Sequence, residues 1–297
     1  MLRHLAVILV VSSWSSLAGA VDVTTCDQLV PAGQVGEVLN DLDCNGGSGF
    51  AVTLDHGATL HLNGHRLNGP TAGGAIVHAL KSATIVGPGE IDTSPDGPCI
   101  RAPYGSLVVD GGATGIDVHG CYDGIDVQHS ASIANVTVHD NTTIGIFASH
   151  LKATNVSSNG NHLLGLVADI DLKARNLVAS GNLYGGINAG KVVSLIDSTI
   201  DGSGVYGVDG NNGGVSLVNS VVSNSGGLGI RAKSVRLKDS SVTGTGAVPD
   251  HNYPPNIDLD TLKKPGLHNS TCGKSWGKRP PHHPTGTAAT WGVCTND

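Results

Sequence analysis

The chain has few aromatic side chains and little charge. Aromatic residues make up only 3% of its 297 residues, and charged residues make up 14%. A thick globular core built around aromatic rings is therefore not expected. The formal net charge of −7 argues against nucleic acid as a partner, because a nucleic-acid surface is normally basic.

Long hydrophobic runs are also missing, apart from one at the N-terminus. Leu5 to Val11 form an apolar run of seven residues after Arg3, and Ala18-Gly19-Ala20 resembles a cleavage site. Seven residues are too few for a helix that crosses a bilayer. We interpret residues 1–20 as a secretory signal, and we expect a secreted or periplasmic protein without a membrane partner.

A tandem repeat of about twenty-one residues dominates the middle of the chain. A glycine followed by an aliphatic residue recurs in steps of 21, 20, 21, 21 and 22 residues, at Gly124, Gly145, Gly165, Gly186, Gly207 and Gly229. A second marker keeps the same period, at Asn135, Asn155, Asn176, Asp197, Asn219 and Asp239. Two markers in one phase indicate stacked structural units.

Each repeat holds short runs in which apolar and polar residues alternate, such as Leu151 to Thr154. This period of two predicts strands with one buried face, and no repeat contains a window suited to a helix. The leucine positions of a leucine-rich repeat are absent. We therefore predict an all-β, single-stranded parallel β-helix of about nine coils, right-handed by the general preference of parallel crossovers.

This pattern resembles the pectin-lyase-like β-helix superfamily, over roughly residues 50–260. Within it, the Gly-Ile-rich repeats are most similar to the carbohydrate-binding and sugar-hydrolase branch that includes mannuronan epimerases. The resemblance implies an extracellular polysaccharide as the partner. The paired Asp-Asp of polygalacturonases and the Asp-Pro-His-Asp of mannuronan epimerases are absent from the sequence, so no catalytic residue is transferred.

The repeat divides the mature chain into an N-terminal cap at 21–56, the parallel β-helix at 57–262 and a C-terminal tail at 263–297. Six cysteines in a secreted chain suggest three disulfides. We predict the pairs Cys26–Cys44, Cys99–Cys121 and Cys272–Cys294, although the sequence leaves the other connectivities open. The second pair is twenty-two residues apart, which would place both cysteines at equivalent positions on adjacent coils.

The residue after each glycine–aliphatic pair should point outward and form a column along the rod: Asp126, Phe147, Val167, Asn188, Asp209 and Arg231. We assign Asn188, Asp209 and Arg231 to substrate binding. Asp169 and Asp209 are candidate calcium ligands, so calcium is the one possible cofactor. The alternative is a solvated sheet face with weak ion pairs.

A second column is basic. Lys152 and Lys173 lie in it, and Arg175 lies in the next. We assign Lys152 to binding the carboxylates of a uronate polymer, and Lys173 or Arg175 to proton abstraction. The alternative is that these residues only keep an exposed sheet soluble.

Tyrosines precede the glycine in several coils. Tyr184 and Tyr206 suit stacking on sugar rings, Tyr184 could act as an acid, and His162 could supply a base. Two hypotheses follow, both for an expected monomer. One is a lyase or epimerase acting on a uronate-containing glycan. The other is a non-catalytic glycan-binding or surface-structural solenoid.

Overall fold

The structure is a computed structural model that describes residues 19–46, 49–70, 73–211, 213–246, 256–277 and 290–297. Residues 1–18 of the predicted signal lie outside the described residues. The fold is all-β: the described part of the chain forms parallel strands that wind into a solenoid, as the repeat predicts. No helix in that part is long and apolar enough to cross a membrane.

Three parallel ladders, here called sheets A, B and C, form the sides of the solenoid. Sheet A contains β1 (Val21–Val23), β3 (Val35–Val38), β6 (Thr59–His61), β9 (Ala83–Val86), β12 (Leu107–Asp110), β18 (Val192–Ile196), β21 (Gly214–Val218), β24 (Ser234–Lys238) and β27 (Gly266–His268). Sheet B contains β4 (Leu42–Asp43), β7 (Arg66–Asn68), β10 (Gly89–Ser94), β13 (Ile116–Cys121), β19 (Thr199–Asp201), β22 (Val221–Ser223), β25 (Ser241–Thr243) and β28 (Thr271–Cys272).

Sheet C contains β2 (Gln28–Val30), β5 (Val52–Leu54), β8 (Val77–Ala79), β11 (Ile100–Ala102), β17 (Gly185–Ala189), β20 (Tyr206–Asp209), β23 (Leu228–Ala232), β26 (Leu259–Thr261) and β29 (Ser275–Trp276). Three long strands bend around the corners and contribute a segment to every sheet: β14 (Ile125–His139), β15 (Ile144–Asn159) and β16 (Leu164–Ser180). Along the chain, a full turn runs through sheet C, sheet A and sheet B before the next turn begins.

The interior is one continuous core of aliphatic side chains, to which all three sheets contribute. Alternate residues of each strand point inward, and Ile133, Ile146 and Leu172 are among those that are almost fully buried. Since successive turns are in register, like side chains stack on like. The low aromatic content is thus explained by a core too slender for large rings.

The glycine marker is explained by the close approach of neighbouring turns. A Cβ atom placed on Gly165 would lie 2.7 Å from the carbonyl oxygen of Gly186, and one on Gly186 would lie 2.7 Å from that of Gly207. These distances are too short for any side chain. Glycine is therefore required where sheet C begins in each of these turns.

The Asn/Asp marker lies at the corner between sheets A and B. All six residues have left-handed backbone, with φ between 48° and 55°, which a short amide or carboxylate side chain tolerates. Their side chains also form a ladder: Nδ2 of Asn155 donates to Oδ1 of Asn135 (2.9 Å), and Nδ2 of Asn176 donates to Oδ1 of Asn155 (2.8 Å). Asp197 has no amide that could donate to Asn176, so the ladder is interrupted at this step. Its Oδ1 still accepts a hydrogen bond from Nδ2 of Asn219 in the following turn.

The corner between sheets B and C holds a second ladder, which is buried. Nδ2 of Asn141 donates to Oδ1 of Asn161, and Nδ2 of Asn161 donates to Oδ1 of Asn182, both at 3.0 Å. Each amide oxygen also accepts a backbone N–H of the preceding turn. This ladder satisfies backbone groups that would otherwise be buried without partners.

All three predicted disulfides are confirmed. The expected position of the second pair is wrong, however. Cys121 pairs in sheet B with Ser94, whereas Cys99 lies next to Ile100 at the start of a sheet C strand. The bridge therefore crosses the corner between sheets B and C rather than joining equivalent positions. Cys26 and Cys44 are placed in the same way, before β2 of sheet C and after β4 of sheet B.

Strand pairing is also present in the segments predicted as the N-terminal cap and the C-terminal tail. Val21 to Val23 already pair with Gly36 to Val38, inside the segment predicted as a cap, and β29 pairs with β26 inside the predicted tail. In the described part of the chain, sheet A has nine strands of its own and three that it shares with the other sheets. Capping by these terminal segments stays a prediction.

Candidate functional site

One outward column of sheet C runs in register through seven successive turns. It consists of Arg101, Asp126, Phe147, Val167, Asn188, Asp209 and Arg231, and is called the sheet C column below. The sequence predicts this alignment from Asp126 onward, and the strand register confirms it. Adjacent members are separated by the spacing of neighbouring strands, about 4.8 Å.

The downstream end of the sheet C column is a polar network. Nε of Arg231 donates to Oδ1 of Asp209 at 3.1 Å, and its NH2 group contacts the other oxygen of that carboxylate. The backbone N–H of Asn211 donates to the same Oδ1 (2.8 Å), and its side-chain amide donates to Oδ1 of Asn188 (3.0 Å). The structure thus joins three of the predicted binding residues.

Asp209 differs from its expected environment, because only 1% of its side chain is exposed. Both carboxylate oxygens of Asp209 are bound by Arg231. The guanidinium compensates the buried negative charge, which would be costly without a partner. Asp169 is exposed but lies two turns before the level of Asp209, roughly 10 Å along the axis. The structure therefore does not bring the two predicted calcium ligands together.

Tyr206 is buried, and its expected exposure is wrong. It is 5% exposed and aligns with Gly185, where a Cβ would lie 2.5 Å from its ring, so the missing side chain leaves room for it. Nδ2 of Asn188 donates to its hydroxyl at 3.1 Å. Burial raises the pKa of Tyr206 to about 12, since it favours the neutral phenol.

Tyr184 remains at the surface, 48% exposed, and its ring meets that of Tyr206 edge-on, with centroids 5.6 Å apart. It occupies the corner between sheets B and C, where the backbone of each turn bonds to the next through Tyr122, Thr143, Leu163 and Tyr184. Tyr122 and Leu163 are each 46% exposed. An exposed, partly aromatic ridge thus lies beside the sheet C column.

The upstream end of the sheet C column carries a second charged pair. Nε of Arg101 lies 3.7 Å from Oδ2 of Asp126. The other carboxylate oxygen of Asp126, Oδ1, accepts a hydrogen bond from Nε2 of Gln128 (2.8 Å). Burial raises the pKa of Asp126 in spite of these two partners. His78 lies one turn earlier, stacked on Phe50 at 4.2 Å, and burial together with Arg101 lowers its pKa.

The other predicted site residues do not converge. Lys152 and Lys173 are exposed neighbours on sheet A, and Ser194 and Ser216 follow them in register. Arg175 is one column further and pairs with Asp197 at 3.0 Å. His162 is exposed at the corner between sheets B and C, on the same corner as Tyr184 but away from the two basic residues of sheet A. The catalytic roles assigned to Lys173, Arg175, Tyr184 and His162 stay predictions.

Sheet B holds a cluster of titratable side chains that the sequence did not reveal. Glu90, Asp117, His119 and His139 project from three neighbouring strands, and Asp92 forms a two-point pair with Arg66. Asp117 and Glu90 also line a groove of about 520 Å³ at the corner between sheets A and B. Glu90, Asp117 and His119 escape a repeat-based interpretation because they lie before the regular repeat begins.

Comparisons with known proteins find no match by sequence and a distant similarity among solved structures. No family model and no curated protein matches the sequence. Among solved structures, the chain is similar to the full-length tailspike protein 2 of Escherichia coli O157:H7 bacteriophage CAB120, at 12% identity and a TM-score of 0.36. The alignment covers 86% of this chain and 38% of the tailspike. The mannuronan-epimerase branch gains no support from these comparisons.

Proposed function

We propose that the protein is an extracellular polysaccharide-binding β-solenoid that holds an extended glycan along the sheet C column. The observation that carries this proposal is the unbroken register of seven outward side chains from Arg101 to Arg231. A polymer parallel to the axis would pass one member of this column at every turn, over roughly 29 Å. At the level of Asp209, which is buried, it would meet the partner guanidinium of Arg231.

The chemistry of the sheet C column suits sugars. Its centre, Phe147 and Val167, is apolar and half-buried, while its two ends offer guanidinium, carboxylate and amide groups. Sugar rings present apolar C–H faces together with hydroxyl groups, and so they use both kinds of surface. The exposed ring of Tyr184 beside the column adds a stacking platform.

Charge favours a neutral glycan over a polyuronate at this face. Arg101 is paired with Asp126 and Arg231 with Asp209, so the two cations are already compensated. A uronate polymer would fit the exposed Lys152 and Lys173 of sheet A better, and this is the surface on which the lyase or epimerase hypothesis rests. The two surfaces are on different sides of the coil, which makes the alternatives separable.

The disulfides fit the proposed extracellular location. Three bridges tie the solenoid at the beginning, middle and end of the described chain. Disulfides persist in oxidising compartments and are rare in the cytosol. Secretion through the predicted signal of residues 1–20 is part of the proposal.

Binding to a panel of neutral and uronate polysaccharides tests the proposal, with Phe147→Ala as the sheet C variant and Lys173→Ala as the matched sheet A control. We expect binding of a neutral glycan that Phe147→Ala weakens at least tenfold and Lys173→Ala leaves unchanged. Binding of a polyuronate that is lost only in Lys173→Ala would overturn the proposal. Release of unsaturated sugars from a polyuronate would support the lyase hypothesis instead.

A further inference from the structure

The face of sheet B carries a group of ligands that suits a transition-metal ion. Asp117 and His119 are two residues apart on β13, so they project from the same face, and His139 is the register partner of His119 on β14. One ligand atom from each of the three lies within 4.8 Å of the others. All three side chains are partly exposed and can be reached by an ion from solvent.

We propose that Asp117, His119 and His139 bind one zinc-class divalent ion, bridging two turns of the solenoid. Two imidazoles with one carboxylate form a donor set that zinc prefers, whereas calcium prefers oxygen ligands throughout. Oδ1 of Asp117 lies 3.1 Å from Nε2 of His139. Two ligands of a tetrahedral zinc, each at about 2.0–2.1 Å, lie about 3.4 Å apart, so this pair is already close to the required spacing.

The second nitrogen of each imidazole supports the assignment independently. Nδ1 of His139 lies 2.8 Å from Oδ2 of Asp140, which leaves Nε2 for the ion. Nε2 of His119 lies 3.2 Å from Oε1 of Glu90, which leaves Nδ1 for the ion. A carboxylate on the non-ligating nitrogen fixes the tautomer and orientation of metal-bound histidines in proteins.

The two rings need only a small rearrangement. They are stacked with centroids 4.8 Å apart and an angle of 16° between their planes, so their ligating nitrogens must turn toward each other. Both side chains are partly exposed, and rotation about their side-chain torsions closes this gap. Asp117 also lines the groove at the corner between sheets A and B, so this side of the proposed site faces solvent.

A competing set, Glu90, Asp92 and His119, lies next to this one. Asp92 is 2% exposed, and its two oxygens are held by Arg66. An ion there would have to displace a guanidinium from a buried carboxylate, which is costly. The set that contains both imidazoles is therefore the better site. It lies on a different sheet from the sheet C column, so it does not depend on the proposed glycan binding.

Calorimetric titration of Zn²⁺ into the full oxidised chain tests the site. The vicinal His282 and His283, which lie outside the described residues, are first replaced by Gln, because neighbouring imidazoles can bind zinc on their own. In that background we expect one ion per chain. His119→Gln and His139→Gln should each lower the affinity at least tenfold, and Ca²⁺ should not bind at this site.

His150→Gln is the matched control, since His150 is an exposed histidine whose Nδ1 lies 3.5 Å from Oδ2 of Asp171, and it belongs to neither group of possible metal ligands found among the described residues. Its affinity for zinc should equal that of the parent. Shifts of the imidazole resonances of His119 and His139 on adding Zn²⁺ to the parent chain give a readout that needs no ligand variant. Equal zinc affinity in all variants, or no shift of these resonances, would overturn the proposal.

Discussion

The guanidinium of Arg231 binds the carboxylate of Asp209, which lies one turn earlier in the solenoid. Its Nε lies 3.1 Å from Oδ1, and its Nη2 contacts the other carboxylate oxygen. The carboxylate is 1% exposed, whereas the guanidinium side chain is 42% exposed. The pair thus ties β20 to β23 across one strand spacing. It also keeps a buried charge compensated beneath the surface proposed to bind glycan.

Removing the guanidinium of Arg231 should leave the buried carboxylate of Asp209 without its compensating positive charge. We expect Arg231→Ala to lower the free energy of unfolding by about 3 kcal/mol, measured by urea unfolding, because an unpaired buried carboxylate is costly. Arg175→Ala is the matched control. Its partner Asp197 is 36% exposed, so the loss should stay below about 1 kcal/mol. Equal losses in the two variants would contradict the buried pair.

The glycine column makes a second prediction. Gly165→Ala should lower the free energy of unfolding by about 1–3 kcal/mol, since its Cβ would meet both the carbonyl oxygen of Gly186 and Nδ2 of Asn182 at 2.7 Å. Gly266→Ala, whose nearest neighbour is Cγ of Arg236 at 3.9 Å, should change it by less than about 0.5 kcal/mol. If both variants unfolded at the same urea concentration, the close approach of the turns would be disproved.

The buried amide ladder is expected to contribute to the free energy of unfolding as well. Asn161→Ala would leave the amide of Asn141 without an acceptor and Oδ1 of Asn182 without its side-chain donor. We expect a loss of about 2–4 kcal/mol in thermal or urea unfolding. Asn40→Ala is the control, because among the described residues its amide donates to the neighbouring carbonyl of Asp41, at an exposed bend. If Asn161→Ala lowered the free energy of unfolding no more than Asn40→Ala, the amide ladder would not contribute to stability.

Tyr206 gives the fold a dependence on alkaline pH. Its pKa is raised to about 12 by burial, whereas a phenol in the unfolded chain ionises near pH 10. The neutral phenol is favoured in the folded state. Its contribution to stability is therefore complete below about pH 10 and is lost as the pH rises toward 12.

Unfolding midpoints between pH 9 and 12 should consequently fall more steeply for the parent chain than for Tyr206→Phe, which has no group to ionise. The phenylalanine variant loses the hydrogen bond from Asn188 and starts from a lower midpoint. Parallel curves over this range of pH would show that the phenol is not buried.

The sequence predicted the fold because each turn repeats the same steric requirement. Gly165 and Gly186 recur since no side chain fits between the turns, and Asn155 and Asn176 recur since the bend needs left-handed backbone. Such constraints leave marks at a fixed period. The outward column from Asp126 onward followed from them by counting.

Side-chain environment was less predictable. Tyr184 and Tyr206 look equivalent in the sequence, yet a shift of one residue relative to the glycine places the second ring over Gly185 and buries it. The buried amides of Asn141 and Asn161 read as ordinary turn residues. Period alone shows neither which way a corner side chain points nor how deeply it lies.

The titratable groups of sheet B were missed for a different reason. His119 and His139 belong to different turns, and Glu90 belongs to a third, so only the strand register shows that they are neighbours. The turns that contain Glu90 and His119 also precede the regular repeat. No spacing in the sequence marks the cluster.

The most direct test of the glycan proposal is the affinity of the chain for oligosaccharides of increasing length, taken from whichever polysaccharide it binds. If the polymer lies along the sheet C column, affinity should rise with each added sugar until the oligosaccharide covers roughly 29 Å, the span from Arg101 to Arg231, and then level off. An affinity already complete for a disaccharide would place the ligand in a local pocket and contradict binding along the axis.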